Sequence, residues 1–337
     1  FESSRLTNIH THETQPGALF SYNEKPSFGL LSFDTRARDP RVTYSIINID
    51  NQTVHEHTLH RSALTFTPAS PSPTQNRQLS TQNSSLRVAQ MQGIPEKWGL
   101  DANMKVFLEQ VEEAATQRAD VFITPECWLD GYAAPDPAST PERLRTVAQP
   151  LEGSPYLEKV ADAARRLQLW ICFGFTSLED GKIYNTCGLW DRAGKLHGAY
   201  HKTHLQTHDL QFSTGTALPV WPSEFGPLGM MICADRRWPE TARTLRVQGA
   251  KLILNPTYGM HGEFNLQMMR VRAYENQCYI AFTHPQQSLL VGPGGDILTN
   301  VESDTPGLTT TQIDLANATD DNHLQDRRPD LYTPLIR

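Results

Sequence analysis

Hydrophobic and polar positions change their period along the chain, and the changes divide it. Stretches of alternating character at Ser27 to Phe33, Arg41 to Ile49 and Thr53 to Leu59 predict strands, with Asp50-Asn51 as the turn between the last two. Three strands bury too little apolar surface to hold a fold alone, so residues 1–66 are expected either to pack on the C-terminal portion of the chain or to be the remnant of a larger domain. From Thr67 to Ser85 the sequence is rich in Pro, Ser, Thr, Gln and Asn with almost no apolar position, the composition of a linker. A different texture begins at Leu86. Alternation over Leu86 to Met91 predicts a strand, and Met104, Phe107, Leu108, Val111, Ala114 and Ala115 fall at helical spacing within Asp101 to Gln117. The pattern then repeats. Strands are expected at Val121 to Glu126, Trp170 to Phe175, Thr186 to Trp190, Leu228 to Ile232, Lys251 to Leu254 and Tyr279 to Thr283. Helices are expected near Tyr156 to Leu167, up to about Val247, and at Met268 to Glu275. Strands alternating with helices over residues 86–337 describe a layered α/β domain, which keeps reactive residues at strand ends.

Composition narrows the function classes. A net charge of -7 and a pI near 5.9 argue against a general nucleic-acid binder, whose phosphate contacts need a basic surface. No apolar run approaches the ~18 residues of a membrane span. The five cysteines are odd in number, widely spaced and free of any C-x-x-C pair, so neither a disulfide framework nor a zinc ribbon is expected. A reducing, cytoplasmic setting fits them. Phe1 rather than Met opens the sequence, so its true N-terminus is open.

One segment concentrates chemistry. Leu228-Gly-Met-Met-Ile-Cys233 reads as a core strand that stops at a cysteine, and Pro239-Glu240 suits the first turn of a helix. A thiol at such a corner faces backbone N–H groups and a helix N-terminus, which is expected to lower its pKa and to leave donors for an oxyanion. The bland alternative is an ordinary buried cysteine. Two further reactive residues end predicted strands: Glu126 after Val121-Phe-Ile-Thr-Pro125, and Lys202 after Gly198-Ala-Tyr-His201. The N-terminal histidines (His10, His12, His55, His57 and His60) could be read as metal ligands. Surface histidines on turns and alternating strand positions are the favoured reading, because no acidic cluster accompanies them.

Taken together, Ile123-Thr-Pro-Glu126 with Gly131-Tyr132, His201-Lys202-Thr-His204-Leu205, and Cys233-Ala-Asp235 with Pro239-Glu240 and Arg243 resemble the motifs of the nitrilase, or carbon–nitrogen hydrolase, superfamily. Gly249-Ala-Lys-Leu-Ile-Leu-Asn-Pro256, Arg272-Ala-Tyr-Glu-Asn276, Gly292-Pro-Gly-Gly295 and Arg327-Arg-Pro-Asp-Leu-Tyr332 extend the resemblance over about Leu86 to Tyr332. It implies an α-β-β-α sandwich, here with a short N-terminal β appendage, and a homodimer or larger homo-oligomer. It also implies a Glu126, Lys202, Cys233 triad that needs neither metal nor cofactor, acting on a small amide or carbamoyl substrate, with Asn255 and Thr257 near that substrate. Many members carry a second glutamate seven residues before the glycine that matches Gly215. Here His208 stands there, followed by Asp209, and the expectations in order are that Asp209 substitutes, that His208 serves, or that activity is reduced.

Asp235-Arg-Arg-Trp-Pro-Glu240 resembles the segment after the nucleophile in N-carbamoyl-D-amino acid amidohydrolases, where paired arginines hold the substrate carboxylate. Arg236 and Arg237 would do so here, since a planar guanidinium clamps a carboxylate with parallel hydrogen bonds. Surface or dimer salt bridges are the alternative. His204 also matches those enzymes, whereas Ala234 replaces their usual Asn. The runner-up readings are an aliphatic amidase or nitrilase and, of another class, an inactive binding module, against which the intact triad argues. His10-Thr-His12 and the strands after it resemble the C-terminal end of a calcineurin-like metallophosphoesterase, with Ile9 in place of that motif's glycine.

Overall fold

The computed structural model describes residues 27–63 and 84–336. The His10, His12 pair and most of the polar stretch read as a linker lie outside them. The chain divides into two compact units, residues 1–78 and 79–337. In the first, β1 (Ser27–Asp34), β2 (Arg41–Asn48) and β3 (Thr53–His60) form an antiparallel sheet in that order. Asn51 turns the chain between β2 and β3 with φ 60°, in the left-handed region that Asn tolerates. The sheet buries little: along β1, Phe28, Leu30, Leu31 and Phe33 are all exposed. Among the described residues no cluster of His, Cys, Asp or Glu could hold a metal ion, and His60 sits beside Asp39 at 3.5 Å.

The second unit runs β4 (Ser85–Gln92), α1 (Leu100–Thr116), β5 (Val121–Ile123), α2 (Pro141–Val147), α3 (Pro155–Leu167), β6 (Trp170–Glu179), β7 (Lys182–Trp190) and β8 (Leu196–His201). It continues through β9 (Val220–Trp221), β10 (Leu228–Met230), α4 (Pro239–Val247), β11 (Leu252–Pro256), α5 (Glu263–Asn276), β12 (Tyr279–His284), β13 (Gln287–Val291), β14 (Ile297–Glu302), β15 (Gly307–Asp314) and α6 (Asn322–Gln325). The strands build two six-stranded sheets, β15-β4-β5-β6-β7-β8 and β14-β13-β12-β11-β10-β9. β4 begins at Ser85, paired with Asp314, so the last residue of the stretch read as linker is already sheet.

Side-chain parity makes this a four-layer sandwich. Leu86 and Val88, Val121 and Ile123, Cys172, and Cys187 and Leu189 turn toward Leu228, Met230, Leu252, Leu254 and Ala281 in one cluster between the sheets. The intervening residues face outward: Ala89, Met91, Phe122, Ile171 and Phe173 pack on Met104, Phe107, Val111, Leu157 and Val160 of α1 and α3. Met231, Ile253, Ile280 and Phe282 pack on Ala242, Leu245, Leu266, Met269 and Ala273 of α4 and α5. Strands covered on both faces read as near-continuous apolar runs, which is how these segments look in the sequence. Ser154 and Thr140 cap α3 and α2, each with Pro in the first turn. No helix among the described residues is long and apolar enough to cross a membrane.

Several elements differ from the sequence expectation. The strand before Glu126 ends at Ile123, because Pro125 cannot donate to a ladder, and the chain passes through Thr124 and Pro125 into a turn that begins at Glu126. α5 starts at Glu263 rather than near Met268, because its first turn inverts the apolar pattern by exposing Phe264 and burying Asn265. β13 to β15 lie beyond the strands expected from the sequence; β14 is almost wholly exposed and lacks an apolar row.

Candidate active site

The loops that leave β5, β8, β10 and β11 converge, and each brings one chemically active group. Glu126 is fully buried. Its Oε1 accepts hydrogen bonds from Lys202 Nζ at 2.8 Å and Asn185 Nδ2 at 2.7 Å, and its Oε2 from the Tyr258 N–H at 2.9 Å. Lys202, also fully buried, donates in addition to Asp209 Oδ2 at 2.6 Å. Tyr132 donates to the other oxygen of Asp209 at 2.6 Å. The acid that faces the lysine is therefore Asp209. His208 is half exposed, with its ring T-shaped to Tyr132 and its Nε2 4.0 Å from the Asp209 oxygen that Tyr132 bonds.

Cys233 opens a 3-10 turn, Cys233–Arg237, with φ 47°. A non-glycine residue there costs on the order of 1–3 kcal/mol and persists only where its surroundings hold it. They do so through Asp235, a buried carboxylate. Its Oδ2 accepts from the Ile232 N–H at 2.9 Å and Tyr200 Oη at 2.7 Å. Its Oδ1 accepts from the His204 N–H at 2.9 Å and Thr203 Oγ1 at 3.0 Å, with His204 Nδ1 at 2.8 Å. Cys127 (φ 44°) and Tyr132 (φ 50°) adopt the same region beside Glu126.

Electrostatics departs from the sequence expectation at the thiol. Burial pushes the Cys233 pKa up and the Glu126 carboxylate adds to it; Lys202, Arg236 and the Gly259 N–H offset only part. The helix-dipole argument fails because α4 begins only at Pro239, beyond the single turn over which a dipole acts. For Lys202 burial pulls the pKa down, but Glu126, Cys233 and Asp209 outweigh it and keep the ammonium protonated.

The other sequence candidates separate into two groups. Arg236 is buried close enough to the thiol to influence it. Its Nε donates to Asn265 Oδ1 at 2.6 Å and its Nη2 to the Met260 carbonyl at 2.5 Å, while Nη1 is buried without a partner among the described residues. Ala234 is buried next to Cys233, and His204 stacks on Trp238 at 4.2 Å. Arg237 is exposed and donates to Gln206 Oε1 at 2.5 Å. Asn255 Nδ2 donates to the Met231 carbonyl and Thr257 Oγ1 to the Asn255 carbonyl, so both serve the backbone near the cysteine. Sequence reasoning missed Asn185, Tyr258, Gly259 and the bond of Tyr132 to Asp209. Asn185 had a signal: it shares the inward parity of Cys187 and Leu189, a polar residue in an apolar row.

Gly174 on β6 sets how closely the Glu126 loop approaches. A Cβ there would lie 2.5 Å from the Pro125 carbonyl oxygen and 2.8 Å from the Cys127 nitrogen. Gly174→Ala is expected to displace Glu126, lowering kcat about tenfold or more while KM changes less. Steady-state kinetics alongside a melting curve checks this, and an unchanged kcat would contradict it.

The family model described as carbon-nitrogen hydrolase matches residues 86–322. A hydrolase of Pseudomonas protegens, described as lying in the pqqF 5' region, is 32% identical over 75% of this chain and 92% of its own. The human deaminated glutathione amidase is 30% identical over 73% of this chain and 82% of its own. Among solved structures, an amidase from Nesterenkonia sp. superposes with a TM-score of 0.64 at 24% identity, covering 74% of this chain and 96% of that one. Saccharomyces cerevisiae Nit3, a member of branch 10 of the nitrilase superfamily, gives 0.62 at 22%, covering 69% and 92%. With the family model spanning most of the chain, the protein belongs to the carbon-nitrogen hydrolase family and is a hydrolase acting on amides.

Proposed function

We propose that the enzyme hydrolyses a small amide that carries a carboxylate, an N-carbamoyl amino acid being the best fit, through a thioester on Cys233 with release of ammonia. The observation that carries this reading is the buried Arg236, whose Nη1 lacks a hydrogen-bond partner among the described residues and which lies near enough to the thiol to act on it. A buried cation with an unpaired donor is costly. A substrate carboxylate would complete it.

The charges within the site support the chemistry. A thiolate formed by losing its proton to solvent would face the Glu126 carboxylate at a buried site. Passing the proton to Glu126 instead removes that repulsion and leaves the net charge of the site unchanged. Glu126 thus acts as base while Cys233 Sγ bonds to the carbonyl carbon, and it returns the proton to the departing nitrogen, which leaves as ammonia. Lys202, held by Glu126 and Asp209, and the Ala234 N–H stabilise the oxyanion. Water, deprotonated by Glu126, then releases the acid and restores the thiol. An aliphatic amidase or nitrilase reading needs no carboxylate clamp and is the alternative; comparing charged with neutral substrates in an Arg236 variant decides between them.

All of these groups lie in the second unit, and we propose that it carries the activity alone. A protein beginning at Leu79 is expected to be soluble and to keep kcat within about twofold. Insoluble expression, or loss of turnover, would contradict this.

A further inference from the structure

We propose that His284 is a positioning residue for this reaction, aiming the peptide between Tyr258 and Gly259 at the cysteine. His284 ends β12 and is buried, 3% exposed. The Gln286 N–H donates to its Nδ1 at 3.0 Å, so the ring proton sits on Nε2, which donates to the Tyr258 carbonyl at 2.9 Å. A trans peptide is planar, with its C=O and N–H pointing in opposite directions. Holding the Tyr258 carbonyl on one side therefore directs the Gly259 N–H to the other, toward Cys233 Sγ, against which Gly259 packs so closely that a Cβ there would lie 3.2 Å from the sulfur, and the N–H favours the thiolate. The Tyr258 N–H, one residue earlier, is the donor to Glu126 Oε2. One imidazole thus sets the segment that touches both reacting groups.

The ring is fixed for this task. It stacks on His261 at 4.3 Å and lies parallel to Phe282, over which Arg236 sits. Burial first, then His261 and Arg236, bring its pKa down to about 4, so the neutral tautomer persists at neutral pH. The loop's other anchors hold different groups: Thr257 N–H on the Thr283 carbonyl, Met260 carbonyl under Arg236, and Gly262 N–H on Gln287 Oε1. Among the described residues the Tyr258 carbonyl is held by the imidazole.

The inference rests on Cys233 as nucleophile and Glu126 as base, and three substitutions test it separately from that reading. His284→Phe keeps the stacking and loses the donor. It is expected to fold, to lower kcat about tenfold to a hundredfold with little change in KM, and to slow iodoacetamide modification of Cys233 in parallel. His284→Gln places an N–H where Nε2 was and should recover much of both rates; His284→Asn, which can replace only Nδ1, should not. Wild-type kcat and alkylation in His284→Phe would overturn the proposal. So would equal losses in all three variants, with lowered melting temperatures and unchanged alkylation of the folded protein. Should Cys233→Ala remain active, the nucleophile reading fails, and the alkylation rates still decide whether His284 aims the Gly259 N–H.

Discussion

Cys233→Ala is expected to remove turnover, by about 10^4-fold or more, because it deletes the thiol that opens the turn beside Glu126 and Lys202. Glu126→Gln is the more informative partner of this substitution. Three donors converge on the Glu126 carboxylate, from Lys202, Asn185 and the Tyr258 N–H, and an amide cannot accept from all of them. Loss of the base and proton carrier is expected to cost about 10^2 to 10^4 in kcat. Alkylation of Cys233 should move the other way. Burial and the Glu126 charge together hold the thiol pKa high, so removing that charge leaves Lys202 and Arg236 to favour the thiolate. The rate of iodoacetamide modification should then rise at lower pH than in the wild type, while turnover collapses. Retained turnover in either variant would contradict the assigned roles.

The second large effect falls on substrate choice. Arg236→Met is expected to raise KM for an N-carbamoyl amino acid at least about tenfold, since a desolvated charge pair broken on one side costs roughly 2–5 kcal/mol. The substitution also frees the Met260 carbonyl and Asn265, so some loss should be common to all substrates. The discriminating quantity is the ratio between a carboxylate-bearing substrate and an uncharged amide of similar size. Arg236→Lys should recover part of that ratio, keeping the charge but losing the fork. Arg237→Ala, at an exposed arginine bonded to Gln206, should leave it nearly unchanged. Equal effects on charged and neutral substrates would replace the carbamoyl amino acid reading with an aliphatic amidase or nitrilase.

Side chains with strong local signatures are legible in the sequence. Pro239 does open α4, Cys233 does sit at a corner between a core strand and a helix although β10 already ends at Met230, and the apolar runs of β4, β6, β11 and β12 mark sheets buried on both faces. What the sequence hides is mostly backbone. The Tyr258 and Gly259 N–H groups carry no residue-type signal, because any residue but proline could supply them. Asp209 stands first of three options in the sequence because a one-residue shift depends on a loop, and only the 3-10 turn of residues 207–209 brings it to Lys202. The paired arginines look equivalent in sequence. A single step along a tight turn buries one beside the thiol and leaves the other in solvent. The thiol pKa shifts opposite to the sequence expectation for a related reason: the distance to α4 and the depth of burial are properties of the fold and not of the motif.

The proposed mechanism turns on a covalent bond between the substrate's carbonyl carbon and Cys233. Rapid-quench mass spectrometry during turnover of an N-carbamoyl amino acid or amide tests it most directly. The peptide containing Cys233, and none containing Cys127, Cys172, Cys187 or Cys278, is expected to gain the mass of the substrate less ammonia and to lose it at the rate of turnover. Full turnover with Cys233 unmodified, or the adduct on another residue, would contradict it.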